Sequence, residues 1–309
     1  MPVIPIVFST DHNYIMQTGV CLLSLIESAQ AEDTYDIHIL ISDDVTETDK
    51  KQLTEQVGRH GAHKIGFIST GNEFADSFQI RGISTATYYR LLIPWLLPQY
   101  DKIIFSDVDV IFHISLSEVF DQNIDDFLVA AIPAINFRKS KRAGRYTRRL
   151  GVDSNEYFNA GFLVINSKLQ RELDLRPRFL ELAKRRFKFQ DQDMINIVCK
   201  GRIKPLSPRY CLTPTFYEMY LDRHPLFRDF YGSAGDVANY VRGSDCILHY
   251  AGPKPWNAFT FAYTDWWDTY RRSIFCDPDY AIVQSAKSLR KRLSWREIAS
   301  QIKCKILRH

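Results

Sequence analysis

The first hundred residues alternate short apolar runs with segments of helical periodicity, and this alternation constrains the fold more than any other feature of the chain. Strand candidates fall at residues 3–8, 36–42, 64–69 and 102–105. Between them Ile15, Met16, Val20, Leu22, Leu23 and Ile26 recur at helical spacing, and Thr46 with Asp49 forms a capping box for a helix to about residue 59. Apolar strands alternating with helices describe an α/β fold, an open sheet with helices on both faces. Two further strand-like runs, 127–132 and 158–165, flank a basic, glycine-containing stretch, 138–149, that reads as an exposed loop. Residues 167–200 have helical periodicity, and residues 201–245 are aromatic, proline-punctuated and weakly periodic. A last short strand, 246–249, runs into the turn-rich segment HYAGPKPW.

Composition narrows the class further. With 309 residues, 45% of them hydrophobic and 25% charged, the chain has enough apolar material for a substantial core, which excludes disordered and fibrous classes. The net charge of +4 is unevenly spread: residues 284–309 carry eight Lys or Arg against the single Glu297, a charge of +7 that leaves −3 for residues 1–283. A uniformly basic nucleic-acid face is therefore not indicated. In the tail, Leu289, Leu293, Ile298, Ile302 and Ile306 alternate with Lys and Arg, the pattern of a basic amphipathic helix lying on an anionic membrane surface; a helix packed on its own domain is the alternative. The expected organisation is a catalytic domain over 1–278 and a helical basic tail over 279–309. Six scattered cysteines, without C-x-x-C pairs, read as reduced thiols. The start, MPVIPIVFSTDH, reads as a first strand rather than an export signal, and no apolar run approaches the roughly eighteen residues of a membrane span. The expected location is cytoplasmic.

The residues that carry chemistry lie at strand ends, where open α/β sheets bind ligands. Asp107 and Asp109 flank Val108 inside KIIFSDVDVIF, where unpaired charge is strongly disfavoured. In extended chain, residues two apart project to one side, so both carboxylates can meet one divalent cation; a strand-end pair of solvated acids is the alternative. His249 ends a second apolar strand, just before Gly252 and Lys254, and an imidazole beside two carboxylates shifts preference toward manganese over magnesium. Lys254 is placed to neutralise a departing diphosphate, or is an ordinary surface lysine. Ser9, Thr10, Asp11 and Asn13 suit either the hydrogen bonding of a base and ribose or a helix cap. Asn159-Ala160-Gly161 in YFNAGFLVIN and Asp191-Gln192-Asp193 in FQDQDMIN place polar groups in apolar surroundings, where they need partners: sugar hydroxyls, or a structural amide and a helix cap.

Read together and in order, FSTDHNY, TYYRLLIP with Arg90, SDVD, YFNAGFLVIN, FQDQDMIN and HYAGPKPW resemble glycosyltransferase family 8 across residues 3–260. The resemblance implies a GT-A fold, with a Rossmann-like mixed sheet, and a retaining hexosyltransferase that uses a UDP-sugar with Mn2+, or with Mg2+. It matches Asp107, Asp109 and His249 to the metal ligands, Asp11 and Asn13 to uridine contacts, and Val108 to a backbone contact. Gly252 and Lys254 match the diphosphate loop, and Arg90, Asn159, Asp191 and Gln192 the residues around the donor hexose. The chain departs from the family's H-x-x-G-x-x-K-P-W by one residue after His249. Gln192 stands where a nucleophile would be expected and an amide is a poor one, which favours front-face transfer with Asp191 as the backup carboxylate. The expected donor is UDP-galactose or UDP-glucose and the expected acceptor a lipid-linked or polysaccharide glycan, as in lipopolysaccharide synthesis at the inner face of the cytoplasmic membrane. The rival readings are a metal-dependent phosphohydrolase, which usually carries D-x-D on its first strand, and a non-catalytic glycan-binding protein on the same fold.

Overall fold

A computed structural model describes residues 3–69, 71, 86–139, 141–221 and 245–290. Among them are nine strands: β1 (Val3–Thr10), β2 (Thr34–Ile41), β3 (Lys64–Ser69), β4 (Lys102–Ser106), β5 (Val110–Phe112), β6 (Val129–Pro133), β7 (Phe158–Asn166), β8 (Ile203–Pro205) and β9 (Ile247–His249). The chain divides into two units. The larger comprises Met1–Thr18, Ala29–Val108 and Ser115–Leu206; the smaller comprises Gly19–Ser28, Asp109–Ile114 and Ser207–His309 as far as these are described.

The larger unit is built on a seven-stranded sheet ordered β3-β2-β1-β4-β7-β6-β8. β1 runs parallel to β2 and β4, β2 parallel to β3, and β8 parallel to β6, while β7 is antiparallel to both β4 and β6. The sheet is therefore mixed, and the reversal at β7 brings the carboxyl end of β4 beside the start of β7. Residues 4–8 of β1 are fully buried, as a strand covered on both faces requires. The helix Ile15–Glu27 follows β1, and the helix Glu47–Gly58 begins with the expected capping box: Thr46 accepts from the Asp49 N–H while the Asp49 carboxylate accepts from the Thr46 N–H.

Two segments differ from the sequence reading, and a third is more divided than periodicity alone describes. The basic stretch 138–149 is helical, as Asn136–Lys139 and Lys141–Arg149, because Gly144 and Thr147 form a buried inner face opposite the cations. The span 167–200 is helical as expected, in three helices, Ser167–Glu172, Arg176–Ala183 and Gln190–Val198. The bend at Val108–Asp109 places the D-x-D between β4 and β5 instead of within one extended strand. Of the tail, Pro278–Arg290 is a helix and residues 291–309 lie outside the described residues.

The Gln190–Val198 helix is tied to β7 by Asn196, which is 1% exposed. Its side chain accepts from the Phe158 N–H at 2.7 Å and donates to the Phe158 carbonyl at 2.9 Å and to the Gln192 carbonyl at 2.8 Å. In the smaller unit β5 pairs antiparallel with β9, Val110 opposite His249, and an aromatic cluster secures the turn after β9. Trp266 lies 5.0 Å from Trp256 and stacks on Tyr270, and the Trp267 indole N–H donates to the Pro255 carbonyl at 3.2 Å. Asn196→Ala leaves the buried Phe158 amide and carbonyl without these partners and is expected to cost about 2–3 kcal/mol in urea denaturation. A loss below about 0.5 kcal/mol would show that this seam contributes little.

Candidate active site

Arg90 organises the site residues of the larger unit. Its position follows from the break between the helical turns Ala86–Tyr89 and Ile93–Leu96, which a short 3-10 turn bridges. One terminal nitrogen lies 2.8 Å from the Asp107 carboxylate, Nε lies 3.1 Å from Asp191, and the other terminal nitrogen donates to the Ala160 carbonyl at 2.9 Å. The guanidinium sits 4.2 Å from the centroid of the Phe105 ring, which fixes its plane. Asp107 extends the β4–β7 ladder by one bond, its N–H donating to the Gly161 carbonyl at 2.9 Å. Asp191 is 6% exposed; burial pushes its carboxyl up, Arg90 opposes this, Asp107 adds to it, and the result is about 6. One cation thus serves two carboxylates, and the more buried of them is left poised near neutrality.

Gln192 is oriented at both ends of its amide. Oε1 accepts from the Ala160 N–H and Nε2 donates to the Tyr157 hydroxyl, each at 3.2 Å. The Tyr157 and Tyr146 hydroxyls in turn donate to Asp193, which is fully buried. Gln190, one residue before Asp191, is held at φ 39°, a left-handed conformation that a non-glycine residue adopts only when its surroundings impose it. Asn159 accepts from the Gly161 N–H at 2.7 Å through its amide oxygen. At the end of β1, Asp11 caps the turn His12–Tyr14 by accepting from the Asn13 N–H at 3.0 Å. Thr10 is buried with its hydroxyl on Thr18 at 2.8 Å, while Ser9 is half-buried.

The smaller unit assembles Asp109, His249 and Lys254. Asp109 directly precedes β5, its carbonyl accepts from the Tyr250 N–H at 3.0 Å, and the β5–β9 register brings His249 Nε2 to 3.3 Å from its carboxylate. His249 Nδ1 faces Cys211 Sγ at 3.2 Å. Lys254 donates to the Asp109 carboxylate, and to the Tyr250 carbonyl at 2.7 Å. Gly252 has φ 126°, which glycine alone adopts freely, and this turns the chain so that Lys254 reaches Asp109 despite the shortened segment. Burial would raise the Asp109 pKa, but the His249 and Lys254 charges hold it well below the usual carboxylate range. Burial likewise opposes charge on His249, while Cys211 and Asp109 beside it hold the imidazole well above its ordinary value.

The structure therefore gathers Arg90, Asp107, Ala160, Asp191 and Gln192 in one unit and Asp109, His249 and Lys254 in the other. Val108 joins the two sets along the chain. The donors offered by Asp107, Asp109 and His249 are two carboxylate oxygens and one imidazole nitrogen, a set that suits a divalent cation such as manganese or magnesium. Two participants, Tyr157 and Cys211, escape a reading of the sequence as site residues, whereas Asp193 is marked in it with Asp191 and Gln192. Tyr157 opens the quoted YFNAGFLVIN, so a search for partners of Gln192 and Asp193 could have found it. Cys211 lies 38 positions from His249, with nothing in the sequence to join them.

The profile of Glycosyl transferase family 8 matches residues 5–260 of the chain. The lipopolysaccharide 1,3-galactosyltransferase of Salmonella typhimurium is 23% identical over 265 residues, covering 82% of this chain and 73% of that protein. Among solved structures, the galactosyltransferase LgtC in complex with donor and acceptor sugar analogues superposes with a TM-score of 0.73 at 26% identity, covering 90% of this chain and 99% of that one. The bifunctional glycosyltransferase WbbM gives a TM-score of 0.72 at 27% identity over 93% of this chain, which spans about half, 52%, of the WbbM chain. The mixed seven-stranded sheet is that of the GT-A fold shared with LgtC, and the chain belongs to glycosyltransferase family 8.

Proposed function

We propose that this glycosyltransferase moves galactose or glucose, with retention, from a UDP-sugar to a hydroxyl of a lipid-linked or polysaccharide glycan in lipopolysaccharide or surface-polysaccharide synthesis. The observation that carries the reading is the buried Asp109 carboxylate, ionised and flanked by His249 and Lys254 at a strand end. Asp107, Asp109 and His249 would hold Mn2+, with Mg2+ as the alternative. Such an ion, when bound, neutralises diphosphate charge and makes UDP a better leaving group. Lys254 and the Gly252 turn cradle the diphosphate, and Val108 offers its backbone to the nucleotide. Ser9, Asp11 and Asn13 receive the base and ribose, with Thr10 bracing that loop from inside.

Arg90, Asn159, Ala160, Gly161, Asp191 and Gln192 surround the hexose. Both ends of the Gln192 amide are engaged, so it presents a fixed polar edge, and an amide is a poor nucleophile. This supports front-face transfer, in which the departing phosphate takes the acceptor proton. Asp191, paired with Arg90, is the backup nucleophile. Residues 1–278 form the catalytic part in this reading, residues 279–309 are a helical appendage, and its basic stretch 284–309 lies against an anionic membrane surface at the inner face of the cytoplasmic membrane. No helix among the described residues is long and apolar enough to cross a membrane.

UDP release measured across UDP-galactose and UDP-glucose, with Mn2+ and with a chelator, tests the reading. The expected result is metal-dependent release from one or both, lowered about 10²-fold in Lys254→Ala, the loss typical of one contact to developing charge. No release from either donor with the metal present would sink it. The titration of Asp191 makes a second prediction, for the enzyme free of metal and donor. A carboxyl raised in the folded state contributes stability that is lost as pH rises through its folded value. The stability of Asp191→Asn relative to wild type should therefore climb between pH 3.8 and about 6. A difference constant with pH would show that Asp191 is not perturbed. Near-full turnover in the same variant would remove it as the backup nucleophile.

A further inference from the structure

The cations of the Lys141–Arg149 helix and of the segment before Gln190 contrast with those that are held in ion pairs. Lys50, Arg59, Arg90, Arg171, Arg209 and Lys254 each lie within ion-pair distance of a carboxylate. Those of the Lys141–Arg149 helix do not: Lys141, Arg142, Arg145, Arg148 and Arg149 are exposed, and no carboxylate pairs with them among the described residues. Lys184, Arg185 and Lys188, in the segment leading to the Gln190–Val198 helix, are exposed and unpaired with carboxylates in the same sense. The two segments are joined. Tyr146 accepts a hydrogen bond from the Lys188 N–H at 3.1 Å, and its ring meets Phe189 edge-on at 5.7 Å. Eight exposed cations thus lie on two segments of the larger unit that meet at Tyr146, within sequence stretches, 136–151 and 182–190, that contain no acid. Such a concentration of like charge repels itself unless an anionic partner covers it.

We propose that this face docks on an anionic phospholipid bilayer by electrostatic adsorption, without insertion. A discrete phosphate ligand would need buried, convergent donors, and every cation here is solvent-facing. A nucleic-acid strand would need open aromatic faces for base stacking, whereas Tyr146 and Phe189 are half-buried and spent on each other. A plane of laterally mobile anions needs neither. Among the described residues none of the exposed large hydrophobic side chains, Val3, Leu173, Ile282 and Val283, belongs to either segment, so none of these would enter the acyl region. Neither segment belongs to the 284–309 tail. Its second segment runs straight into Gln190, so docking would set the start of the Asp191–Gln192 helix at the bilayer. That consequence, unlike the docking itself, rests on the donor-sugar reading of those two residues.

Co-sedimentation of the full chain with vesicles of phosphatidylcholine alone, or mixed with phosphatidylglycerol, tests the docking. Three substitutions on the outer side of the helix, R142Q/R145Q/R149Q, should weaken partition onto the mixed vesicles about 10²-fold, from roughly fivefold per cation near an anionic surface. The charge-conserving R142K/R145K/R149K should stay within about threefold of wild type, and binding should fall as salt is raised. UDP release in solution, equal in all three proteins, reports that they are folded and is independent of the vesicle readout. The proposal is overturned if the Gln variant partitions within about twofold of wild type, which would assign any membrane binding elsewhere, the tail included. It is overturned equally if the wild type does not distinguish the two kinds of vesicle.

Discussion

The buried carboxylate of Asp109 is the constraint on which the site depends. A lone ionised carboxylate in the interior is strongly disfavoured, and removing one partner from a buried pair typically costs about 3–5 kcal/mol. The chain meets this demand with an imidazole and an ammonium brought from one segment. The β5–β9 register sets Val110 opposite His249, the positive φ of Gly252 turns the backbone, and the tryptophan cluster anchors the Pro255–Trp256 end of that turn. Such an arrangement adds little net stability, since buried ion pairs are often matched by well-packed apolar residues. Its value lies in a carboxylate kept ionised where a cationic ligand can be received.

A complementary imbalance exists around Arg90. Its single guanidinium serves both Asp107 and Asp191, and this leaves the more buried acid raised to about 6. Carboxylates in excess of cations are costly for stability and are characteristic of functional sites, where a ligand supplies the missing charge or hydrogen bonds. On the proposed reading the metal supplies the charge at Asp107 and the hexose the hydrogen bonds near Asp191. The bonds from Asn196, Tyr146 and Tyr157 hold the Gln190–Val198 helix, and with it Asp191, in place beside Arg90.

Much of this was legible in the sequence, for identifiable reasons. The strands 3–8 and 64–69 and the capping box at Thr46 are local features, written in periodicity and in a four-residue motif. The spacing of the ordered motifs marked Arg90, Asp107, Asp109, Asp191, Gln192 and His249. Other features depend on which residues meet in space. The helix Lys141–Arg149 was hidden because its inner face is Gly144 and Thr147, too small and polar to register as an apolar stripe. The bend at Val108–Asp109 was hidden by the apolar residues on either side, which suit one long strand as well as two short ones. The approach of Cys211 to His249 arises from the bridge between Leu212 and Leu248, a pairing across 36 residues that periodicity cannot register.

The central claim is that Asp109 and His249 form a site for a divalent cation. The direct measurement is Mn2+ binding in the presence of UDP, followed by electron paramagnetic resonance of the free ion, for wild type, Asp109→Asn and His249→Ala. The account predicts saturable binding at a single site in the wild type and loss of that site in both variants. Equal Mn2+ binding in the wild type and in Asp109→Asn would contradict it.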